Sequence, residues 1–462
     1  MKPNLTLAHR PVRRLAALAC ASLLLAAGCG RDAGDAGGAG DIGDTGTAAS
    51  ATGAATPEAA SRVQEWALPA VGAGSSAPTL APAPDGSLLL GWINSREGRR
   101  HVLQFSRFDP AQQRWRNAPA TIAIGNRMVV NWADTPHMAA TPDGALWAHW
   151  LQKSPVAGAD APYAYDIALV RSRDGGANWG SPVVPHDDGT PTEHGFVSMW
   201  AQGSDGSLGL AWLDGRNTGA AAGHDAHAAA SGDDPHAGGG KPMTLRAAVF
   251  DSNLRRTGEY GIDASVCDCC QTAAAVTARG PVVVYRGRSD AEIRDILLTR
   301  FDGARWTTPA AVHADRWTMP ACPVNGPDVA ADGDGLVVGW YTAAGGTSKV
   351  QLARSDDAGD SFAAPVVLDS GEAVQGRVAV ALDAQQAWAL WLREEGDTQT
   401  LWLSRRSPDL ATEYERLQLA TLQGRGRATG LPQLQVAGGQ GYVVWTDVVD
   451  GAPQLRGVRI AR

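Results

Sequence analysis

The chain has 462 residues, of which 44% are hydrophobic and 19% charged, and carries a net charge of −8. It is long enough for a large core, and its acidic balance excludes a nucleic-acid surface built on excess Lys and Arg. Its 55 Gly and 27 Pro point to many turns rather than long helices.

Arg10, Arg13 and Arg14 precede the apolar run Leu15 to Ala27. Such a run is too short to span a bilayer and reads as a secretory signal, residues 1–28. Residues 29–61 are almost entirely Gly, Ala, Asp, Thr and Ser, which cannot bury a core and should form a flexible tether. Folding is expected over residues 62–462 as one domain. Without the first 28 residues, 36 basic side chains face 48 acidic ones, a net charge of −12.

Along that body a small-residue strand, a turn and an apolar run ending in an aromatic recur. The copies run from Ser87 to Trp92, Ala145 to Trp150, Ser207 to Trp212, Pro281 to Tyr285, Gly335 to Trp340, Gln386 to Trp391 and Gly441 to Trp445. Seven repeats, six of them followed by two further strands, predict an all-β propeller of four-stranded blades. The seventh copy ends at Arg462 before an outer strand can form. Val63-Gln-Glu-Trp66 is the strand expected to complete it and close the ring. The 16 Trp are read mainly as plugs between sheets, with sugar stacking as the alternative. Two insertions interrupt the rhythm, Lys153 to Ala161 and the Gly- and Ala-rich Asn217 to Pro242.

Two turns share the pattern Ser-x-Asp-x-Gly-x-x-aromatic: Ser172, Asp174, Gly176 and Trp179, then Ser355, Asp357, Gly359 and Phe362. The Ser and Asp oxygens can accept backbone amides inside the turn, Gly supplies a positive φ, and the aromatic plugs the sheet. Reduced copies run from Phe108 to Trp115 and from Phe301 to Trp306. The pattern resembles the Asp box, or bacterial neuraminidase repeat, of the sialidase-like β-propellers. The resemblance implies a propeller over residues 62–462, with the six-bladed sialidase fold as the alternative to the seven counted. Likewise Ala26-Ala27-Gly28-Cys29 resembles a lipobox, with Leu25 one place early and ordinary cleavage near Ala27 as the alternative. It implies a lipid on Cys29, a membrane contact through that anchor alone, and a cell-envelope location on the outer rather than the inner membrane.

In a propeller, the loops entering the innermost strands and those joining second to third strands meet at one mouth. Here they carry Asp134, Glu193, His194, Gln271, Asn325 and Arg377, together with Arg216, Arg286 and Arg288. Guanidinium forks suit a carboxylate. A sialidase-like reading assigns an acidic sugar or other anionic ligand to His194, Arg216, Gln271, Arg286, Arg288, Asn325 and Arg377. It assigns chemistry to Asp134, Glu193 and a tyrosine, Tyr285 being favoured over Tyr163 and Tyr165. The sequence departs from the family at Ala77, which stands where the Arg-Ile-Pro signature places an arginine. The competing readings are a propeller that binds a glycan, protein or anion without turnover, and, for each residue singly, an ion pair between blades.

Cys267, Cys269, Cys270 and Cys322 are an even set, which in an exported protein argues for two disulfides of undetermined pairing, a vicinal Cys269–Cys270 bridge among the options. The alternative is metal or redox handling, with copper or zinc held by these thiols with His224, His227, His236 and Met243. No cofactor is otherwise expected.

Overall fold

A computed structural model describes residues 62–96, 100–158, 161–219 and 241–462. The segments expected to be a signal and a tether, Cys29 and the three histidines of the long insertion lie outside the described residues.

Seven antiparallel sheets follow one another along the chain, each led by its innermost strand. The inner strands are Ser75–Pro82, Met138–Ala140, His194–Gln202, Ala273–Thr277, Asp328–Asp332, Val374–Leu382 and Gln433–Ala437. The count is therefore seven, and the six-bladed alternative is set aside. In the seventh blade the fourth strand is Val63–Glu65, which pairs with Ala452–Ala461 in the register Val63 to Ile460. The two ends of the described residues thus share one sheet, which closes the ring. Trp66 anchors the closure, packed on Phe108, Trp115 and Tyr442 at centroid distances of 5.0, 5.2 and 4.9 Å.

The recurring aromatics lie where blades meet. Trp92, Trp212, Tyr285, Trp340 and Trp391 are fully buried on the second strands of their blades. Their neighbours are apolar on both faces, because each blade is sandwiched between two others and alternation with water is lost. Plugging, rather than sugar stacking, accounts for them.

The two Ser-x-Asp-x-Gly turns have matching bonds. Ser172 Oγ and Ser355 Oγ each accept the amide of the Gly four residues on, at 2.8 Å. Each donates to its Asp, which accepts the amide two residues beyond that Gly at 2.9 Å. Gly176 and Gly359 have φ of 94° and 88°, and a β-carbon on either would collide with the preceding blade, at Phe105 and Leu298 respectively. The glycine therefore serves both the turn and blade packing.

Three innermost strands carry the same kink. Register shifts occur at Ser76/Thr79, Gly195/Ser198 and Gly376/Ala379, with positive φ at Ala77, Phe196 and Arg377. Such a bulge re-aims one side chain at the rim of the sheet. Ala77 and Arg377 are thus equivalent positions in blades one and six.

Candidate functional site

The loop Asn131–Asp134 from blade two reaches Gln271 and Arg377 at the entries of blades four and six. Asn131 Oδ1 accepts the Ala133 amide at 2.9 Å and shapes the turn. Gln271, entering blade four, donates to Ala133 O at 3.0 Å and accepts the Gly326 amide of the blade-five entry at 2.8 Å. From blade six, the Arg377 guanidinium lies 4.8 Å from the Trp132 ring, and Arg427 lies 5.9 Å from it. The blade-two turn is thereby held by residues of blades four and six.

Asp134 is buried at the end of this turn. Its Oδ1 accepts the Phe196 amide at 2.8 Å and its Oδ2 accepts the Tyr165 hydroxyl at 3.2 Å. Burial raises its pKa to about 7 in spite of both bonds. Glu193 beside it is raised to about 8 by burial and by the charges of Asp134 and Asp268. The Tyr165 phenol is pushed well above its ordinary value by burial and by Asp134 and Glu193. Burial and mutual repulsion thus favour the protonated form of each of these groups. Tyr285 is not among them, because its hydroxyl donates to Asp263 on the outer strand of blade three at 2.7 Å.

Each proposed arginine is already engaged. Arg286 is buried and donates to the carbonyls of Asn325, Arg294 and Tyr341 at 2.5–3.0 Å, with its guanidinium 5.0 Å from the Trp317 ring. Arg288 pairs with Asp268 at 2.9 Å and Glu292 at 2.8 Å. Arg216 forks onto Asp214 at 2.7 and 2.8 Å. Arg377 donates to Thr429 Oγ1 at 3.0 Å and Gly430 O at 2.9 Å, and burial lowers its pKa to about 10, so it stays charged at neutral pH. Asn325 Oδ1 accepts the Arg377 amide at 2.8 Å. Gln271, Asn325 and Arg377 thus join entry loops of neighbouring blades.

An axial channel of about 540 Å³ runs along the innermost strands. Of the predicted site residues it is lined by Gln271 and Arg377, but not by Asp134, Glu193, His194, Arg216, Tyr285, Arg286, Arg288 or Asn325. Apart from Asp328 and Arg377 its lining is mostly small and neutral, with Thr79, Thr135, Gln433 and Gln435 supplying side-chain hydrogen-bonding groups, whereas the Thr272 hydroxyl is tied to Phe196 O and Ser198 Oγ.

Cys269 and Cys322 form a disulfide joining the entry loops of blades four and five, with a Cα–Cα distance of 6.2 Å. The bridge crosses the blade boundary, and the vicinal pairing does not occur. Cys267 and Cys270 are buried beside it with their sulfurs 2.6 Å apart. Burial pushes the Cys270 thiol up, but the Cys267 contact and the Arg286 charge outweigh it and bring the pKa to about 7. Met243 lies in the same apolar cluster as these cysteines.

His194 lies away from the channel, stacked on His186 at 3.7 Å between ring centroids and 11° from parallel. Asp166, Asp188 and Asp214 surround the pair. The sequence hid this cluster because Pro185-His-Asp-Asp-Gly-Thr is rich in turn formers and reads as a solvated connection.

No protein-family model matches the chain, and no curated protein matches its sequence significantly. Solved structures with a similar course include a protein of unknown function from Dyadobacter fermentans, 12% identical over 87% of this chain and 100% of that one, with a TM-score of 0.47. The NanB sialidase of Streptococcus pneumoniae, as its K499G mutant, is 8% identical over 81% of this chain and 83% of its own, with a TM-score of 0.44. A PL25 ulvan lyase is 10% identical over 73% of this chain and 76% of its own, with a TM-score of 0.40. What the protein does therefore rests on the residues of its own mouth and channel.

Proposed function

We propose that the protein is a cell-envelope β-propeller that binds a neutral, hydroxyl-rich glycan at its axial channel without cleaving it. The observation that carries this reading is the engagement of Arg216, Arg286, Arg288 and Arg377 by carbonyls, hydroxyls and carboxylates of the wall itself. A carboxylate clamp needs guanidinium forks that turn toward the ligand, and withdrawing these would leave buried carbonyls and acids unpaired. The channel instead offers hydroxyls and amides, which suit sugar hydroxyls. The lipobox-like Cys29 supports the cell-envelope location.

A second reading has its own support. Burial favours the protonated forms of Glu193 and Asp134, which sit beside the Tyr165 hydroxyl, as a general acid for glycoside cleavage requires. Two assays separate the readings. Glycan-array and calorimetric binding should detect a neutral oligosaccharide and lose it in Gln433→Leu with Gln435→Leu, while fluorogenic glycosides, α-sialosides included, stay intact. Turnover that disappears in Glu193→Gln would replace the first reading with the second. Absence of both binding and turnover across the array would reject both.

A further inference from the structure

We propose that Asp166, His186 and His194 form a binding site for a divalent cation of the zinc type, buried between blades two and three. This site is separate from the glycan channel and from the cysteines.

Asp188 orients both imidazoles. Its Oδ2 is hydrogen-bonded to His186 Nδ1 at 3.0 Å and lies 3.1 Å from His194 Nε2, at an angle short of a hydrogen bond. The same oxygen faces one nitrogen of each ring. A carboxylate in that position draws the ring proton to the nitrogen facing it, which fixes the tautomer. The opposite nitrogens, His186 Nε2 and His194 Nδ1, are then left with lone pairs.

Those two nitrogens are buried and have no hydrogen-bond partner. His194 is 0% exposed and His186 8%. Both nitrogens face Asp166 Oδ1, at 3.7 and 3.9 Å, and Asp166 is itself 5% exposed. Two unbonded ring nitrogens and a carboxylate oxygen thus lie together in a buried place, with no hydrogen-bond donor to either nitrogen among the described residues. Leaving buried acceptors in that state is costly, and a cation removes the cost.

The separations fit such an ion. Atoms 3.7 and 3.9 Å apart are spanned by a cation about 2.0–2.2 Å from each, the usual range for zinc with imidazole and carboxylate. Two imidazoles and one carboxylate are a zinc-type ligand set, and Asp188 is the outer carboxylate that commonly orients metal-bound histidines. The second grouping nearby, Asp188, His194 and Asp214, already has a cation, since Arg216 forks onto Asp214 and lies 3.5 Å from Asp188. A metal is needed only on the Asp166 side. Because the rings are stacked 11° from parallel, their lone pairs run side by side, so capture of the ion opens the stack.

The test uses the full-length protein. After loading with Zn²⁺ and exhaustive dialysis, elemental analysis should find close to one equivalent per chain, with loss of at least tenfold in occupancy for Asp166→Asn and for His186→Gln. Replacement by Co²⁺ gives a second readout that needs no variant: visible ligand-field bands without a sulfur-to-cobalt charge-transfer band. Folded wild-type protein holding less than a tenth of an equivalent would overturn the proposal. So would a sulfur charge-transfer band, or variants that fold and retain full occupancy, since either would place the ion elsewhere.

Discussion

Gly195 and Asp134 approach so closely that a β-carbon on Gly195 would overlap Asp134 Oδ2 and lie 3.0 Å from Tyr165 Cε2. The glycine of blade three thereby makes room for the acid of blade two, and the acid then accepts the next amide, that of Phe196. Gly195→Ala should force the Asp134 turn outward and destabilise the protein by about 1–3 kcal/mol, as overpacking of a tight site does. Gly158→Ala is the matched control, because a β-carbon there would meet open space. Chemical denaturation of both variants checks the expectation, and equal midpoints would refute it.

Asp134 also sets a pH dependence. Its folded pKa of about 7 lies above its unfolded value near 4, so the folded state binds the extra proton between them. Stability from this group is complete below pH 4, falls as pH rises toward 7, and is flat beyond. The slope for one such group is at most about 1.4 kcal/mol per pH unit. Buried His137, lowered to about 4, acts in the opposite sense between pH 4 and 6.5 and masks part of the trend. The substitution Asp134→Asn removes this contribution together with the part of the Glu193 shift that Asp134 causes, which has the same sign: relative to wild type, the variant should gain stability as pH rises from 4 to 7. A pH-independent difference in urea midpoints would contradict the assignment.

The ring architecture was legible because repeats are local. Each strand-turn-aromatic copy names its own blade, and Val63 to Trp66 stood out as a strand lacking neighbours in sequence. The site was less legible because a residue's partner across a propeller mouth is set by closure of the ring. Nothing in the sequence says that Arg286 bonds the carbonyl of Asn325, or that Tyr165 rather than Tyr285 meets Asp134. An arginine in a mouth loop looks the same in sequence whether it grips a ligand or a backbone carbonyl. Even the Ala77 gap has meaning only once the shared bulge shows Arg377 at the equivalent place in blade six.

The disulfide joins Cys269 to Cys322 across a sequence separation of 53 and encloses all of blade four. Constraining a loop of that length in the unfolded chain is worth about 4 kcal/mol in the chain-entropy model. Cys322→Ser should therefore lower the urea midpoint substantially, and peptide mapping without reduction should recover Cys269 joined to Cys322. Recovery of a Cys269–Cys270 vicinal bridge would contradict the structure.

Closure of the ring gives the last test. Trp66 is buried against three aromatic rings from blades one and seven, just beyond the strand that completes the seventh sheet. Replacing it with alanine removes the largest apolar side chain at that joint, a loss of about 3–5 kcal/mol for a buried Trp. The effect should exceed simple cavity formation in one respect. With Trp66 gone, the pairing of Val63–Glu65 with Ala452–Ala461 loses its anchor, and the edge of blade seven becomes available to other chains. Trp66→Ala is therefore expected to unfold earlier and to associate on heating, while Trp402→Ala, a partly buried Trp within the sixth blade, should lose stability without new association. Hydrogen exchange along residues 452–461 measures the release directly. Unchanged protection there in Trp66→Ala would show that strand pairing alone holds the ring shut.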